Sequence, residues 1–437
     1  LIQLLQKTRR AEKMWLCVLT SFFKTKLYFK FLKKNLAHRQ TLPLGDCLVM
    51  TNAVVEWLNG QQSSMVDLLA EIVNIDSNSF DKAGVDKVAD RLRLFFDDHG
   101  IQHDTIPVKQ HGDALRAVVA GGNGNRPILL CGHRDTVFAD GEAIKRPFEV
   151  RDGKAYGPGV ADMKPGLVIN AFILAAFAKF GGHPNPIVGL FTGDEEIGSP
   201  SSQEIIISEA KKARLAFNSE PGRPSGNIVT RRKGGIFCHC DVTGVAAHSG
   251  GFYEDGRSAI EELARKIQSL HALTDLERGI TINVGLISGG QSVNTVAADA
   301  GCDIDIRYRA DEDRKYIFSE VEKICTKTTV EGTSSEMSVR GEFHPLNPSP
   351  QSAELFDIYC GVAELEGVSI EGEHSGGCAD SGFIAAAGTP VICGVGPVGG
   401  NYHRPDEWMQ VDSLSERARF IAKTIQKLAE KTTNSSL

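Results

Sequence analysis

The sequence predicts an α/β fold, a mainly parallel sheet flanked by helices, interrupted by an inserted ferredoxin-like α+β domain. Three observations carry this expectation. Short apolar runs of strand length, at 128–131 and 187–192, alternate with helix-length segments such as 164–180. From Lys233 the order becomes strand, helix, strand, strand, helix, strand, a complete small unit. A Pro/Asn/Ser-rich stretch at 345–350 then turns the chain back into the first rhythm.

Taken in order, Met65, Leu68, Leu69, Ile72 and Val73 recur at helical spacing. A second helix is expected over 85–98, where Val88, Leu92, Phe95 and Phe96 share one side and Gly100 supplies the stop. Residues 114–120 and 128–131 read as strands. Residues 164–180 are apolar almost all round, so the helix is expected to be buried on most sides. Pro165 suits its first turn, where the missing N–H costs nothing. A strand follows at 187–192. In the insertion, strands at 234–243, 280–287, 295–308 and 337–343 accompany helices at 258–270 and 314–326. A helix at 353–365, a strand at 391–393 and a helix at 414–429 complete the chain. The expected domains are an α/β domain at 50–230 and 344–437 and an inserted domain at 231–343.

Residues 1–49 differ from the rest, being rich in Lys and Arg with aromatic interruptions (Phe22, Phe23, Phe29, Phe31). Their apolar stretch at 15–23 is far short of the ~20 residues a membrane-spanning helix needs. They are expected to be an extension outside the fold, with a basic amphipathic surface helix as the alternative. A formal charge of −7 over 437 residues gives no reason to expect nucleic acid or an acidic membrane as partner. Ten cysteines form no C-x-x-C pair, which excludes a zinc ribbon or a thioredoxin-like motif. They read as packing thiols in a reducing compartment, cytoplasmic rather than periplasmic.

The chemistry-bearing residues are scattered. His133-Arg134-Asp135 closes one apolar run, and Asp162, Glu195-Glu196, Glu220 and His403 follow downstream. Three carboxylates with two neutral imidazoles can hold two divalent cations in mixed oxygen and nitrogen coordination. A further carboxylate left unligated can then act as a base. His133 and Asp135, two apart near a strand end, point the same way. Asp162 precedes a helix N-terminus, where negative charge is favoured. Glu195 and Glu196, adjacent at a strand end, point in different directions, so one can ligate while the other stays free.

Six blocks in order carry a resemblance. They are Gly132-His133-Arg134-Asp135-Thr136-Val137, Tyr156-Gly157-Pro158-Gly159-Val160-Ala161-Asp162-Met163-Lys164, Thr192-Gly193-Asp194-Glu195-Glu196-Ile197-Gly198-Ser199, Ser219-Glu220-Pro221, Ala247-His248-Ser249-Gly250 and Tyr402-His403. From about Met50 onward the chain resembles the zinc-dependent amidohydrolases: glutamate carboxypeptidase, acetylornithine deacetylase, succinyl-diaminopimelate desuccinylase and aminoacylase. The glutamate carboxypeptidase branch is the most similar. The resemblance implies two zinc ions per chain, with cobalt or manganese compatible with the same donors. It implies His133 on one ion, His403 on the other, Asp162 between them, and Glu196 and Glu220 completing the separate sets. Asp135 would orient the His133 imidazole, and Glu195 would be general base and acid. In that family the peptide after the bridging aspartate is commonly cis.

The resemblance also matches His248 to a histidine that reaches into a partner subunit's active site and stabilises an oxyanion. Asn294 and Arg307 match positions that bind a substrate's terminal carboxylate, for which the planar fork of Arg is suited. A homodimer through the inserted domain is therefore expected. The expected reaction is amide hydrolysis of a small peptide or N-acyl amino acid, releasing an amino acid with a free carboxylate. An N-acyl amino acid deacylase is the alternative, and a non-catalytic binding protein that kept the fold is the alternative of another class. Arg307 has a bland reading too, pairing with Asp305. Arg231-Arg232-Lys233 reads as a solvated hinge, His239 as the exposed side of a strand, and His183 receives no role. Cys378, in the block Ser375-Gly376-Gly377-Cys378-Ala379-Asp380, departs from the usual small residues there.

Overall fold

The computed structural model describes residues 53–122 and 125–430; the extension expected at 1–49 lies outside the described residues. Along the chain the first strands are β1 (Gln102–Ile106), β2 (Ala114–Val119), β3 (Ile128–His133), β4 (Glu149–Arg151) and β5 (Lys154–Tyr156). They are followed by β6 (Ile187–Thr192), β7 (Leu215–Asn218) and β8 (Ile228–Arg232). The insertion supplies β9 (Gly234–Thr243), β10 (Thr281–Gly289), β11 (Asp299–Tyr308) and β12 (Ser334–Phe343). The chain closes with β13 (Gly372–Ser375), β14 (Val391–Cys393), β15 (Gly399–Gly400) and β16 (Trp408–Gln410).

The largest sheet runs β1-β2-β6-β3-β7-β14-β8-β13. Its centre, β6-β3-β7-β14, is parallel, and its strands are buried along their whole length, as a sheet covered on both faces requires. The helix Lys164–Lys179 lies against β3 and β6 on one side and the helices Gln62–Val73 and Ser413–Glu430 on the other. Every residue from Lys164 to Phe177 is buried, which explains its all-round apolar sequence. In the register, His133 of β3 stands opposite Thr192 of β6, and Cys131 opposite Asn218 of β7. The carboxyl ends of three parallel strands thus meet at one rim, where open α/β sheets place their ligands.

Between β8 and the helix Pro350–Glu364 sits an antiparallel sheet of order β10-β11-β9-β12. Ile236, Cys238 and Cys240 of β9 and Ile304, Ile306 and Tyr308 of β11 join one core cluster with the helices Ala259–His271 and Asp311–Thr326. The alternate residues Phe237, Asp305 and Arg307 therefore face away from those helices. A third sheet, β15-β16-β5-β4, was not foreseen in the sequence. Several helix starts, at Gln62, Lys82, Asp311 and Pro350, fall two or three residues earlier than periodicity suggests. At Pro350, Ser349 accepts the backbone N–H of Ser352, and Pro occupies the first turn, where it is tolerated. Residues 295–298, expected as strand, instead pair with the loop carrying His248, through Thr295 and Val296. No helix among the described residues is long and apolar enough to cross a membrane.

Candidate metal centre

The rim of the large sheet gathers seven of the sequence-selected residues. His133 ends β3, Glu195 and Glu196 form a one-turn 3-10 helix three residues past β6, and Glu220 follows β7 by two residues. The glutamates were expected at a strand end. They sit instead in a turn closed by Gly198, whose φ of 93° is easy only for glycine. Asp162 arrives from the loop before the helix Lys164–Lys179, and its peptide to Met163 is cis.

Two donor groups result, His133–Asp162–Glu220 and Asp162–Glu196–His403, sharing Asp162. Nε2 of His133 lies 3.4 Å from Asp162 Oδ1 and 3.7 Å from Glu220 Oε1. Nε2 of His403 lies 3.4 Å from Asp162 Oδ2 and 3.2 Å from Glu196 Oε2. The two oxygens of one carboxylate therefore face two different imidazoles. Glu195 belongs to neither group, and its Oε2 is 3.7 Å from His133 Nε2.

The chemistry of these atoms fits bound cations. His133 Nε2, Asp162 Oδ1, Glu196 Oε1 and Glu220 Oε1 are buried with no hydrogen-bond partner. Such groups cost free energy unless something fills their coordination, and four inward-pointing lone-pair atoms match the demand of divalent metal. Electrostatics says the same. Burial, then the charge of Asp162, pushes Glu196 up to about 7. Burial and Asp162 likewise raise Glu220. Glu195 is raised well above the carboxylate range by burial, and Glu220, Asp380 and Glu196 add to the effect of burial. Asp162 is the exception: burial would raise it, but the imidazoles of His133 and His403 hold it low. His403 is raised to about 11 by Asp162 and Glu196. The pocket crowds carboxylates that repel one another, and positive charge relieves them.

Asp135 is fully buried and does more than face one imidazole. His133 Nδ1 lies 3.0 Å from the Asp135 carbonyl oxygen and 3.3 Å from its carboxylate. The same carboxylate accepts the Ser79 hydroxyl at 2.7 Å and the backbone N–H groups of Glu195 and Glu196 at 3.2 and 3.1 Å. It thus ties the His133 imidazole to the glutamate turn.

Other residues of the site were not singled out from sequence. Glu407 is fully buried and accepts the N–H groups of Gly159, Ala161 and Asp162 at 3.3, 2.7 and 2.9 Å. It fastens the Asp162 loop to the turn bearing His403, four residues upstream. A glutamate closing His403-Arg-Pro-Asp-Glu407 was the available signal. Asp380 accepts the Ser199 and Thr192 hydroxyls at 2.5 and 3.3 Å, and burial raises it to about 7. Arg232 corrects the solvated-hinge reading: it is buried, 3.8 Å from Glu220, and donates to the Cys378 carbonyl at 2.9 Å, whereas Arg231 is exposed.

Three expected residues stand apart. His248 and Asn294 are exposed and joined by their loops, the Ser249 N–H donating to the Asn294 carbonyl at 3.0 Å. Neither is in a donor group. Arg307 pairs with Asp305 through two 2.7 Å bonds and donates to Cys378 Sγ at 2.8 Å, so the bland reading describes its present partners. His239 bridges Asp303 and Asp241, and His183 is buried against the carbonyls of Asn185 and Ile425.

The model of peptidase family M20/M25/M40 matches residues 129–427, which include every donor of both groups. The chain belongs to that family. Carboxypeptidase G2 of Pseudomonas sp. (strain RS-16) is 26% identical over 385 residues, covering 86% of this chain and 92% of the relative. Acetylornithine deacetylase of Proteus mirabilis is 24% identical over 399 residues, 86% of this chain and 100% of the relative. An M20 family metallo-carboxypeptidase from Sulfolobus solfataricus superposes with TM-score 0.71 at 18% identity, over 84% of this chain and 99% of that one. This M20 chain is accordingly a hydrolase of the metallopeptidase and amidohydrolase group, with the family fold.

Proposed function

We propose that the chain is a dizinc metallohydrolase that cleaves the amide bond of a small peptide or N-acyl amino acid and releases an amino acid with a free carboxylate. One observation carries the reading: Asp162 is shared by two donor groups, with Glu195 beside them and in neither. His133, Asp162 and Glu220 would hold one cation, and Asp162, Glu196 and His403 the other. When bound, the cations supply Lewis acidity, bringing the pKa of water to about 7 and polarising a substrate carbonyl.

The protein's own groups do the rest. Asp135 accepts from Nδ1 of His133 and so keeps the Nε2 lone pair directed at Asp162 and Glu220. Glu195 accepts a proton from the attacking water on its carboxylate and delivers it to the nitrogen of the leaving amine. Its place beside both donor groups and in neither leaves its carboxylate free to take and give the proton. His248 and Asn294 share one exposed loop pair outside their own site, which fits their supply to a partner copy through a homodimer of the inserted sheet. There His248 would donate to the developing oxyanion, while Asn294 and Arg307 would hold the terminal carboxylate.

A second reading is an N-acyl amino acid deacylase, whose substrate presents an amide and a free carboxylate to the same donors. The test is Glu195→Gln in metal-loaded protein, assayed on N-acyl glutamate, acetylornithine and simple dipeptides. Turnover is expected to fall about 10²–10⁴-fold with metal content unchanged. Wild-type turnover in the variant would remove Glu195 from the chemistry, and turnover of acetylornithine alone would select the deacylase reading.

A further inference from the structure

The junction between the two larger sheets holds a cavity of about 410 Å³ lined by Arg231, Arg232, Lys233, Arg309, Asn347 and His374, among others. Its walls come from both layers. Arg231 and Arg232 end β8, and His374 lies beside them on β13. Lys233 and Arg309 lie one step beyond the Gly234–Tyr308 pair that joins β9 to β11. Arg309 follows β11 by one residue and Lys233 fills the one-residue step between β8 and β9, where the charges of Arg309 and Arg307 reach its ammonium.

Three of the cavity's cations, Arg231, Lys233 and Arg309, are not neutralised internally. Arg232 is opposed by Glu220 at 3.8 Å and Arg307 by Asp305 at 2.7 Å. Among the described residues, no ion pair with a carboxylate is formed by Arg231, Lys233 or Arg309. Asn347 donates Nδ2–H to the Arg309 carbonyl at 3.1 Å and steadies that corner. The Lys233 ammonium is held below its usual value by burial, then by the charges of Arg309 and Arg307, with no carboxylate opposing them. Like charges gathered in a concave, partly enclosed space attract a counter-charge, and the volume lies within the range of small-ligand sites.

We propose that this cavity is an oxyanion-binding site at the junction of the two sheets, taking an anionic group such as a phosphate or the second carboxylate of an acidic ligand. Arg309 and Lys233 hold it from the antiparallel sheet, Arg231 and His374 from the parallel one, so the bound anion fastens one layer to the other. The charge-assisted contacts are of the kind Arg and Lys make best.

The test is calorimetric titration of inorganic phosphate into metal-loaded wild-type protein, Lys233→Gln/Arg309→Gln and Arg309→Lys, at low ionic strength. Wild type is expected to bind phosphate at least tenfold more tightly than the double variant. Arg309→Lys, which keeps the charge, is expected to stay within about threefold of wild type. Equal affinity in wild type and the double variant overturns the proposal, as does wild-type binding no tighter than that of chloride. A second arm separates the sources of the anion. N-acyl glutamate and N-acyl glutamine differ only in the side-chain charge. A preference for the glutamate form that disappears in the double variant places the substrate's own second carboxylate in the cavity. Loss of phosphate affinity without a change in that preference assigns the site to a free anion. The phosphate arm does not depend on turnover, so an inactive enzyme leaves the test of this site intact.

Discussion

Asp135→Asn gives the sharpest test of how the centre is organised, because it removes a charge and one acceptor at nearly constant volume. Oδ1 of Asp135 faces the Glu195 N–H and His133 Nδ1, and Oδ2 faces the Ser79 hydroxyl and the Glu196 N–H. Whichever way the amide turns, its NH₂ meets a backbone N–H in a fully buried place. One such mismatch costs about 1–3 kcal/mol. His133 also loses the carboxylate beside its Nδ1, and removal of such a partner typically costs 10–100-fold in metal affinity, or about 1.4–2.7 kcal/mol. Chelator competition on metal-loaded protein reads the affinity, and thermal unfolding of the metal-free protein reads stability separately. Metal affinity is expected to fall at least tenfold. A variant that melts lower but binds metal within twofold of wild type would show that Asp135 merely caps the glutamate turn.

Glu407→Ala leaves the N–H groups of Gly159, Ala161 and Asp162 without their acceptor in a buried place. A loss of about 3 kcal/mol or more in denaturant unfolding is expected, with weaker metal binding; a change under 1 kcal/mol would contradict the positioning role. Metal binding should also be pH-linked. In the cation-free pocket Glu196 sits at about 7 and His403 at about 11, and both must lose protons to ligate. Protonation of either, or of His133, whose imidazole is also held well above its ordinary value, competes with the metal, so affinity rises with pH through neutrality and loading at pH 7 releases protons. Calorimetry in buffers of different ionisation enthalpy measures this, and no proton release would contradict it.

Where period and length were strong, the fold was legible. The strands Ile187–Thr192 and Gly234–Thr243 stand where the apolar runs placed them, and Lys164–Lys179 is buried all round as its composition demands. The third sheet was not legible, because strands of two or three residues such as Gly399–Gly400 and Lys154–Tyr156 carry no period. Edge strand β1, Gln-His-Asp-Thr-Ile, is too polar to stand out from a loop. At the centre, the residue types of the donors were legible because metal demands His and carboxylate. Their supports were less so: Ser79 acts through a hydroxyl contact that no spacing announces, and Glu407 through backbone N–H groups, its one signal being its place four residues after His403. Arg232 was misread because a run of three cations resembles a solvated surface until the fold buries the middle one beside Glu220.

Counting metal ions per chain tests the shared-aspartate centre most directly. Elemental analysis of fully loaded wild type is expected to give two. His403→Ala, at a half-exposed side chain, should retain one on His133, Asp162 and Glu220. One metal or fewer in wild type, or two retained in His403→Ala, would contradict a pair of cations held across Asp162.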